Sequence, residues 1–379
     1  MAYEVFPVAP LMPLALPITK VSKPKVPGSL LATSSICVPF GVHSTKSSEH
    51  TSSTEVDRAC VVISLGFGGQ ALAEVPRKVE TMQGPIGDFK IIVLSTMLVG
   101  ESRGTGEWGF AALVDVDRHR ILVDTGNQPD SVLKNAQELD IDLAGVQEVS
   151  LTHFHWDHVG GLLTLRRELT KQNPRALSTV HVPGGIFNSR PSPSGESNQM
   201  IAIRKEYEAT GGHFTEYPSG TELLPGVRFT GPVPRVYPEH NWSGPGKVMT
   251  PSGLVEDNIP EDSSLVLDTQ KGLVIITGRG HPGIVNIVTA VEKHFGNRAI
   301  YGIVGGLHLF AASDEIVDWT ATELRQYHIK NLLAAHCTGI EATHQLRHGL
   351  GLNRQTAVVA SVGPSFSFAN GIEAGPLAK

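Results

Sequence analysis

The chain has 379 residues, 40% of them hydrophobic and 18% charged, which is enough to bury a sizeable core in one large or two smaller domains. A formal net charge of -6 with no Lys/Arg tract argues against a nucleic-acid binder held by phosphate contacts. No apolar run reaches the roughly 20 residues that span a bilayer, and the three scattered cysteines, Cys37, Cys60 and Cys337, are too few for a disulfide framework.

Residues 1–57 are Pro-rich at first and Ser/Thr-rich from Ser44 to Thr54, the composition of a disordered leader. Residues 58–73 then join Arg58, a short apolar stretch and an Ala-x-Ala end, like the tail of a secretory signal peptide cut after Ala73. The internal position is wrong for such a signal. Either translation starts further downstream, the leader is an unusual targeting sequence, or the segment is an apolar strand. A periplasmic or secreted location follows from a working signal, and a cytoplasmic one otherwise. The organisation expected is a leader over 1–83 and one catalytic domain over 84–379.

Residues 89–98, 109–116 and 120–123 are rich in Ile, Val and Leu and read as successive strands, with Asp117, Arg118 and His119 turning between the last two. Residues 130–139 alternate like an amphipathic helix, 147–151 read as a strand, and 159–169 as a helix. Later, strands over 264–268 and 273–277 flank a turn at Gln270-Lys271-Gly272, and further strands over 299–304 and 331–335 alternate with helices over 284–294 and 314–327. Three strands in a row run into glycine or histidine, so their carboxyl ends should line one edge where ligands gather. Between the halves, residues 183–260 are Gly-, Pro- and Ser-rich and poorly periodic, with strand candidates at 180–182 and 227–230 and a helix at 199–210. This insertion reads as a lid or substrate-shaping segment.

The chemistry concentrates in residues 152–161, THFHWDHVGG. His153, His155 and His158 offer imidazoles that suit zinc or iron, and Asp157 adds the negative charge that helps hold a second ion. A turn between a strand and a helix lets these side chains converge. Gly104 to Gly109 matches G-x-G-x-x-G, but a strand rather than a helix follows, so no dinucleotide site is expected. Cys337 beside His336 reads as a buried thiol and not a nucleophile.

The H-x-H-x-D-H turn, preceded by ILVDTG (residues 121–126) and followed by Gly160-Gly161, resembles the metallo-β-lactamase superfamily. The resemblance implies an α+β fold, a four-layer αββα sandwich with two metals at one edge. GLVIITGRGHPGIVNIV (272–288), GIVGGLHL (302–309) and AAHCTG (334–339) resemble a subgroup around a dihydropterin ribofuranosylaminobenzene phosphate synthase. By this resemblance His153 and His155 are ligands of metal one, Asp157 and His158 of metal two, and His336 completes metal two. His281 stands where most members place a bridging Asp. A third ligand of metal one is expected near Glu239 and His240, and His181 reads as structural. The subgroup often has Cys where Arg279 stands, which adds a cation able to meet an anionic substrate. His308 has a substrate or supporting role, and Asp124 is expected to hydrogen-bond a ligating imidazole or fix the turn.

Two zinc ions are the expected cofactors, with iron or manganese as alternatives. Two cations sharing a water lower its pKa toward ~7 and clamp the attacking and leaving oxygens, with Asp157 orienting the water and accepting its proton. The expected function is a dinuclear hydrolase of a small-molecule ester, lactone, amide or phosphoester. A pterin-related bond-forming synthase, an iron-dependent redox enzyme and a metal-holding binding module are the alternatives. Oligomeric state has no signal in the sequence.

Overall fold

Along the strand Phe89–Ser95, Phe89, Ile91 and Val93 enter one apolar layer and Leu94 another. That division is what a sheet covered on both faces requires. The computed structural model describes residues 85–100, 103–239 and 246–375. The leader, its signal-like segment 58–73, Cys37, Cys60 and His240 lie outside them.

One sheet runs, edge to edge, through Gly371–Glu373, Ser365–Ser367, Phe89–Ser95, Ala111–Val116, His119–Val123, Glu148–Ser150, Thr179–Pro183 and His213–Tyr217. The other runs through Ala357–Val359, Leu332–Ala334, Ile300–Gly305, Gly272–Thr277, Ser264–Thr269, Val227–Phe229 and Thr221–Leu224. Between them lie Val114, Ile121, Val274, Ile276, Val304 and Leu333, with Phe89 and Phe366 edge to face at 5.3 Å. Helices Ser131–Glu138, Leu162–Leu169 and Met200–Glu208 cover the outside of the first sheet through Val132, Leu165 and Ile203. Ile284–Phe295, Asp314–Leu324 and Ile340–Gly349 cover the second through Val288, Val317 and Leu346. The result is the four-layer αββα sandwich. Among the described residues no helix is long and apolar enough to cross a membrane.

Local chemistry accounts for the boundaries. Val116 pairs with His119, leaving Asp117 and Arg118 at φ 45° and 74°, the two-residue hairpin turn whose twist suits the strands. The helix expected over 159–169 is broken into Trp156–Val159 and Leu162–Leu169. The break falls at Gly160 and Gly161, where a Cβ would meet the carbonyl oxygens of Asn127 and Thr125. The first helical turn thus begins inside the histidine motif.

Residues 183–260 do not form a separate lid. His213–Tyr217 completes the first sheet, and Thr221–Leu224 and Val227–Phe229 complete the second. Neither His213–Tyr217 nor Thr221–Leu224 contains a fully buried residue, so neither carries an alternation to read. Its strands outside both sheets form a pair of hairpins, Pro191–Ser192 with Gly195–Glu196 and Lys247–Thr250 with Gly253–Glu256, linked by Met249 N–H to Ser189 O at 2.8 Å.

Gly272–Thr277, Ile300–Gly305 and Leu332–Ala334 are parallel neighbours, as are His119–Val123, Glu148–Ser150 and Thr179–Pro183. Their carboxyl ends therefore emerge at one edge of each sheet, and the two edges touch. His336 N–H donates to Thr96 Oγ1 at 2.9 Å, and Ser263 N–H to Thr152 O at 3.1 Å. A Cβ on Gly278 would fall against Thr152 Oγ1 and Asp124 Oδ2, so only glycine allows this closure.

Candidate metal centre

Strand ends of both sheets deliver the polar side chains. Asp124 follows His119–Val123, and the turn carrying His153 to His158 follows Glu148–Ser150. From the other sheet, His281 follows Gly272–Thr277, His308 follows Ile300–Gly305 and His336 follows Leu332–Ala334.

Two groups of potential donors result: His153, His155 and His281, and beside them Asp157, His158 and His336, the ligand atoms of each group within 4.8 Å of one another. In the first, His155 Nδ1 is 3.0 Å from His153 Nε2 and 3.2 Å from His281 Nε2. Nitrogens bound about 2.0–2.1 Å from a tetrahedral zinc stand roughly 3.3 Å apart, so this is the spacing of a coordination face. In the second, Asp157 Oδ2 is 3.2 Å from His336 Nε2 and 3.9 Å from His158 Nε2. His158 Nε2 and both ring nitrogens of His336 are buried without a hydrogen-bond partner. Buried polar atoms normally have one, and a cation is the partner that this donor set fits.

Asp124 sets the tautomers. Its carboxylate accepts from Thr152 N–H at 2.8 Å and from Thr152 Oγ1 at 2.8 Å, and lies 2.7 Å from His158 Nδ1. His158 therefore carries its proton on Nδ1 and turns the Nε2 lone pair to the second group. Thr152 Oγ1, having donated to Asp124, accepts from His153 Nδ1 at 3.0 Å, which frees His153 Nε2 for the first group. Asp124, His308 and His336 all adopt left-handed backbone, at φ 53°, 53° and 46°. That conformation costs a side-chain-bearing residue about 1–2 kcal/mol, and such strain is typical of sites that fix side-chain direction.

Burial and then the neighbouring imidazoles hold His153 well below the usual histidine range. Burial, then Arg279, lowers His155 to about 3, and burial lowers His336 to about 4. All three are neutral at pH 7, the form that ligates. Burial alone would raise the Asp157 carboxyl, but His158, His336 and Arg279 outweigh it and keep the group ionised. Arg279 Nη1 donates to Asp157 Oδ2 at 2.7 Å and its Nε to His308 Nδ1 at 3.1 Å. Arg279 and His308 therefore stand beside the second group and belong to neither.

The structure departs from the expected placement at two residues. His281, expected in place of a bridging Asp, completes the first group with His153 and His155. Glu239, expected near metal one, instead accepts from Val285 N–H at 3.2 Å and Asn286 N–H at 2.9 Å, the positive end of the helix Ile284–Phe295. Burial raises its carboxyl to about 7. His181 lies apart, 3.0 Å from Tyr217 OH through Nδ1. Burial pushes the Cys337 thiol up to about 12, which leaves no thiolate beside His336.

Sequence reasoning missed Thr152, whose adjacency to the motif was the available signal. It also missed Asp262, which is fully buried and accepts from His281 N–H at 2.9 Å, and nothing local marks it. An aromatic rim was missed as well. The Trp108 ring is 5.0 Å from His336 and 5.2 Å from Phe310, and both rings are exposed.

Residues 106–293 match the family model of the metallo-β-lactamase superfamily. A 7,8-dihydropterin-6-methyl-4-(β-D-ribofuranosyl)-aminobenzene-5'-phosphate synthase of Methanocaldococcus jannaschii is 29% identical over 273 residues, 68% of this chain and 90% of that protein. An uncharacterized protein of the same organism is 26% identical over 63% of this chain and 86% of its own length. Among solved structures, Tm1679, a metal-dependent hydrolase of the β-lactamase superfamily, is 26% identical with a TM-score of 0.59, covering 73% of this chain and 98% of that one. Residues 106–293 thus carry a metallo-β-lactamase domain, a scaffold of metal-dependent enzymes.

Proposed function

We propose that the chain is a metal-dependent hydrolase of a small molecule, with one ion held by His153, His155 and His281 and a second by Asp157, His158 and His336. The observation that carries this reading is the convergence of two adjacent donor groups, with His153, His155 and His336 neutral and with His158 Nε2 and the His336 ring nitrogens buried without a hydrogen-bond partner. Zinc fits an all-nitrogen group beside a mixed nitrogen and oxygen one, with iron or manganese as alternatives. Such a pair of cations supplies an activated water at neutral pH and polarises a carbonyl or phosphoryl oxygen.

The chain's own residues then act in distinct ways. Asp157, ionised and facing both His336 and Arg279, orients the attacking water. Arg279, 2.7 Å from that carboxylate, offers a charged fork to an anionic group of the substrate. His308 holds the guanidinium from its other side. Trp108 and Phe310 present an apolar wall next to His336 for the rest of the substrate. The bond cleaved is an ester, lactone, amide or phosphoester.

A second reading, a pterin-related bond-forming synthase, is favoured by the 29% identity to the Methanocaldococcus jannaschii synthase. Metal analysis of the purified chain, followed by turnover with ester, lactone, β-lactam and phosphodiester substrates, separates the two. The expected result is two ions per chain, one of them lost in His153→Ala and the other in His336→Ala, and hydrolysis of at least one class. A fully loaded protein that hydrolyses none of them turns the reading toward the synthase. Protein that binds no metal removes both.

A further inference from the structure

Arg190 lies among the residues 183–260 that the sequence reads as an insertion, yet it is 2% exposed. Its Nε donates to Asp257 Oδ2 at 2.7 Å, its Nη2 to both Glu261 oxygens at 2.8 and 2.7 Å, and its Nη1 to Asn188 O at 3.3 Å. The flat face of the guanidinium covers the Phe154 ring, with Cζ 3.6 Å from the ring centroid. Phe154 is the residue between His153 and His155, and its ring is 4.5 Å from that of His155.

Two branches leave this arginine, and both end on the first donor group. One passes through Phe154 to the turn that carries His153 and His155. The other passes through Glu261 to its neighbours: Asp262, whose carboxylate accepts from His281 N–H at 2.9 Å, and Ser263, whose N–H donates to Thr152 O at 3.1 Å. A planar cation that stacks and bridges two carboxylates at once is a role lysine does not reproduce.

The geometry points to Arg190 as a positioning residue of the first metal group: it sets where His153 and His155 stand relative to His281. This rests on the proposal that the group binds metal. Residues that hold ligands from behind typically contribute 10–100-fold to metal affinity. Removing the stack or the bridge should therefore loosen the ion without touching a ligand.

The test uses the full chain carrying His336→Ala, so that the first group is the one read, loaded with cobalt(II). Affinity is measured by competition with a chelator, coordination by visible absorption, and folding by thermal midpoint. Arg190→Lys and Phe154→Leu are compared with Arg166→Lys. Arg166 is an equally buried arginine whose guanidinium donates to Pro174 O, Ala176 O and Thr210, on the outer helical layer. Arg190→Lys and Phe154→Leu should each weaken cobalt binding about 10–100-fold and alter its absorption, whereas Arg166→Lys lowers the midpoint and leaves both unchanged. Wild-type affinity and absorption in the first two variants overturn the inference, and so does an equal loss in Arg166→Lys at a matched midpoint. If Arg190→Lys fails to fold, Phe154→Leu decides, because it leaves the buried ion cluster whole. Absence of cobalt binding in the unsubstituted chain overturns the metal proposal itself, and with it this one.

Discussion

The guanidinium of Arg279 sits 2.7 Å from Asp157 Oδ2, the oxygen that also faces His336. Together with His158 and His336, Arg279 holds the Asp157 carboxyl below its ordinary range against the opposing effect of burial. A ligating carboxylate must be ionised. In Arg279→Met the carboxyl pKa therefore rises, and so does that of His336, which the same cation lowers, so the pH at which the second group loses its ion on acidification moves up. Metal content after dialysis at stepped pH measures this; an unmoved midpoint would show that the guanidinium does not act on the second group.

Metal-free protein should be acid-sensitive in a definite window. Burial holds His336 and His181 at about 4, against 6.5 for an exposed histidine. Below 6.5 the unfolded chain binds protons that the folded chain refuses, so stability is full above that pH and is lost as pH falls toward 4. The slope is roughly 1.4 kcal/mol per pH unit for each such histidine. Thermal midpoints of chelator-treated protein should fall across this window, and His181→Asn should make the fall shallower.

Glu239 answers to a different pH. Its carboxyl is raised to about 7 from 4.5, so the stability this group lends is present below 4.5 and is lost as pH rises through 7. Glu239→Gln removes the charge and keeps one of the two acceptors at the helix start, its amide nitrogen facing the other N–H. The variant should therefore lose the parent's decline in stability between pH 4.5 and 7, and metal content should not change. Loss of an ion in this variant would return Glu239 to the ligand set.

Gly278→Ala tests the closure of the two sheet edges. The added methyl meets Thr152 Oγ1 and Asp124 Oδ2, the pair that fixes the tautomers of His153 and His158. Overpacking of this kind costs about 1–3 kcal/mol. The variant should have a lower thermal midpoint and hold less metal, both read on the same preparation. A midpoint that drops with full metal content would mean that the Asp124–Thr152 link does not govern ligation.

The sequence made some of this readable and hid the rest for identifiable reasons. The residues from His153 to His158 are contiguous, so the motif alone marks them; His336 follows a short apolar strand that the pattern shows, and the family resemblance links it to the site. The layers were also legible, because strands such as Gly272–Thr277 are buried throughout. His281 and Glu239 were harder to sort, since both approach the start of one helix and only tertiary contact separates a donor from an anchor. Asp262 and Arg190 carry no local signal at all: Arg190 meets Glu261 across 71 residues. The terminal strands Ser365–Ser367 and Gly371–Glu373 have three residues each, too short to show a period.

Each donor group takes two side chains from the turn after Glu148–Ser150 and one from a strand end of the opposite sheet. Neither half of the sandwich therefore owns a complete binding set. A cation seated in either group is a rivet through the seam, coupling the two halves where the apolar core runs out. Stripping the ions should let that seam breathe first, with amide exchange rising around Thr152 and Gly278 while the opposite end of the sandwich stays protected.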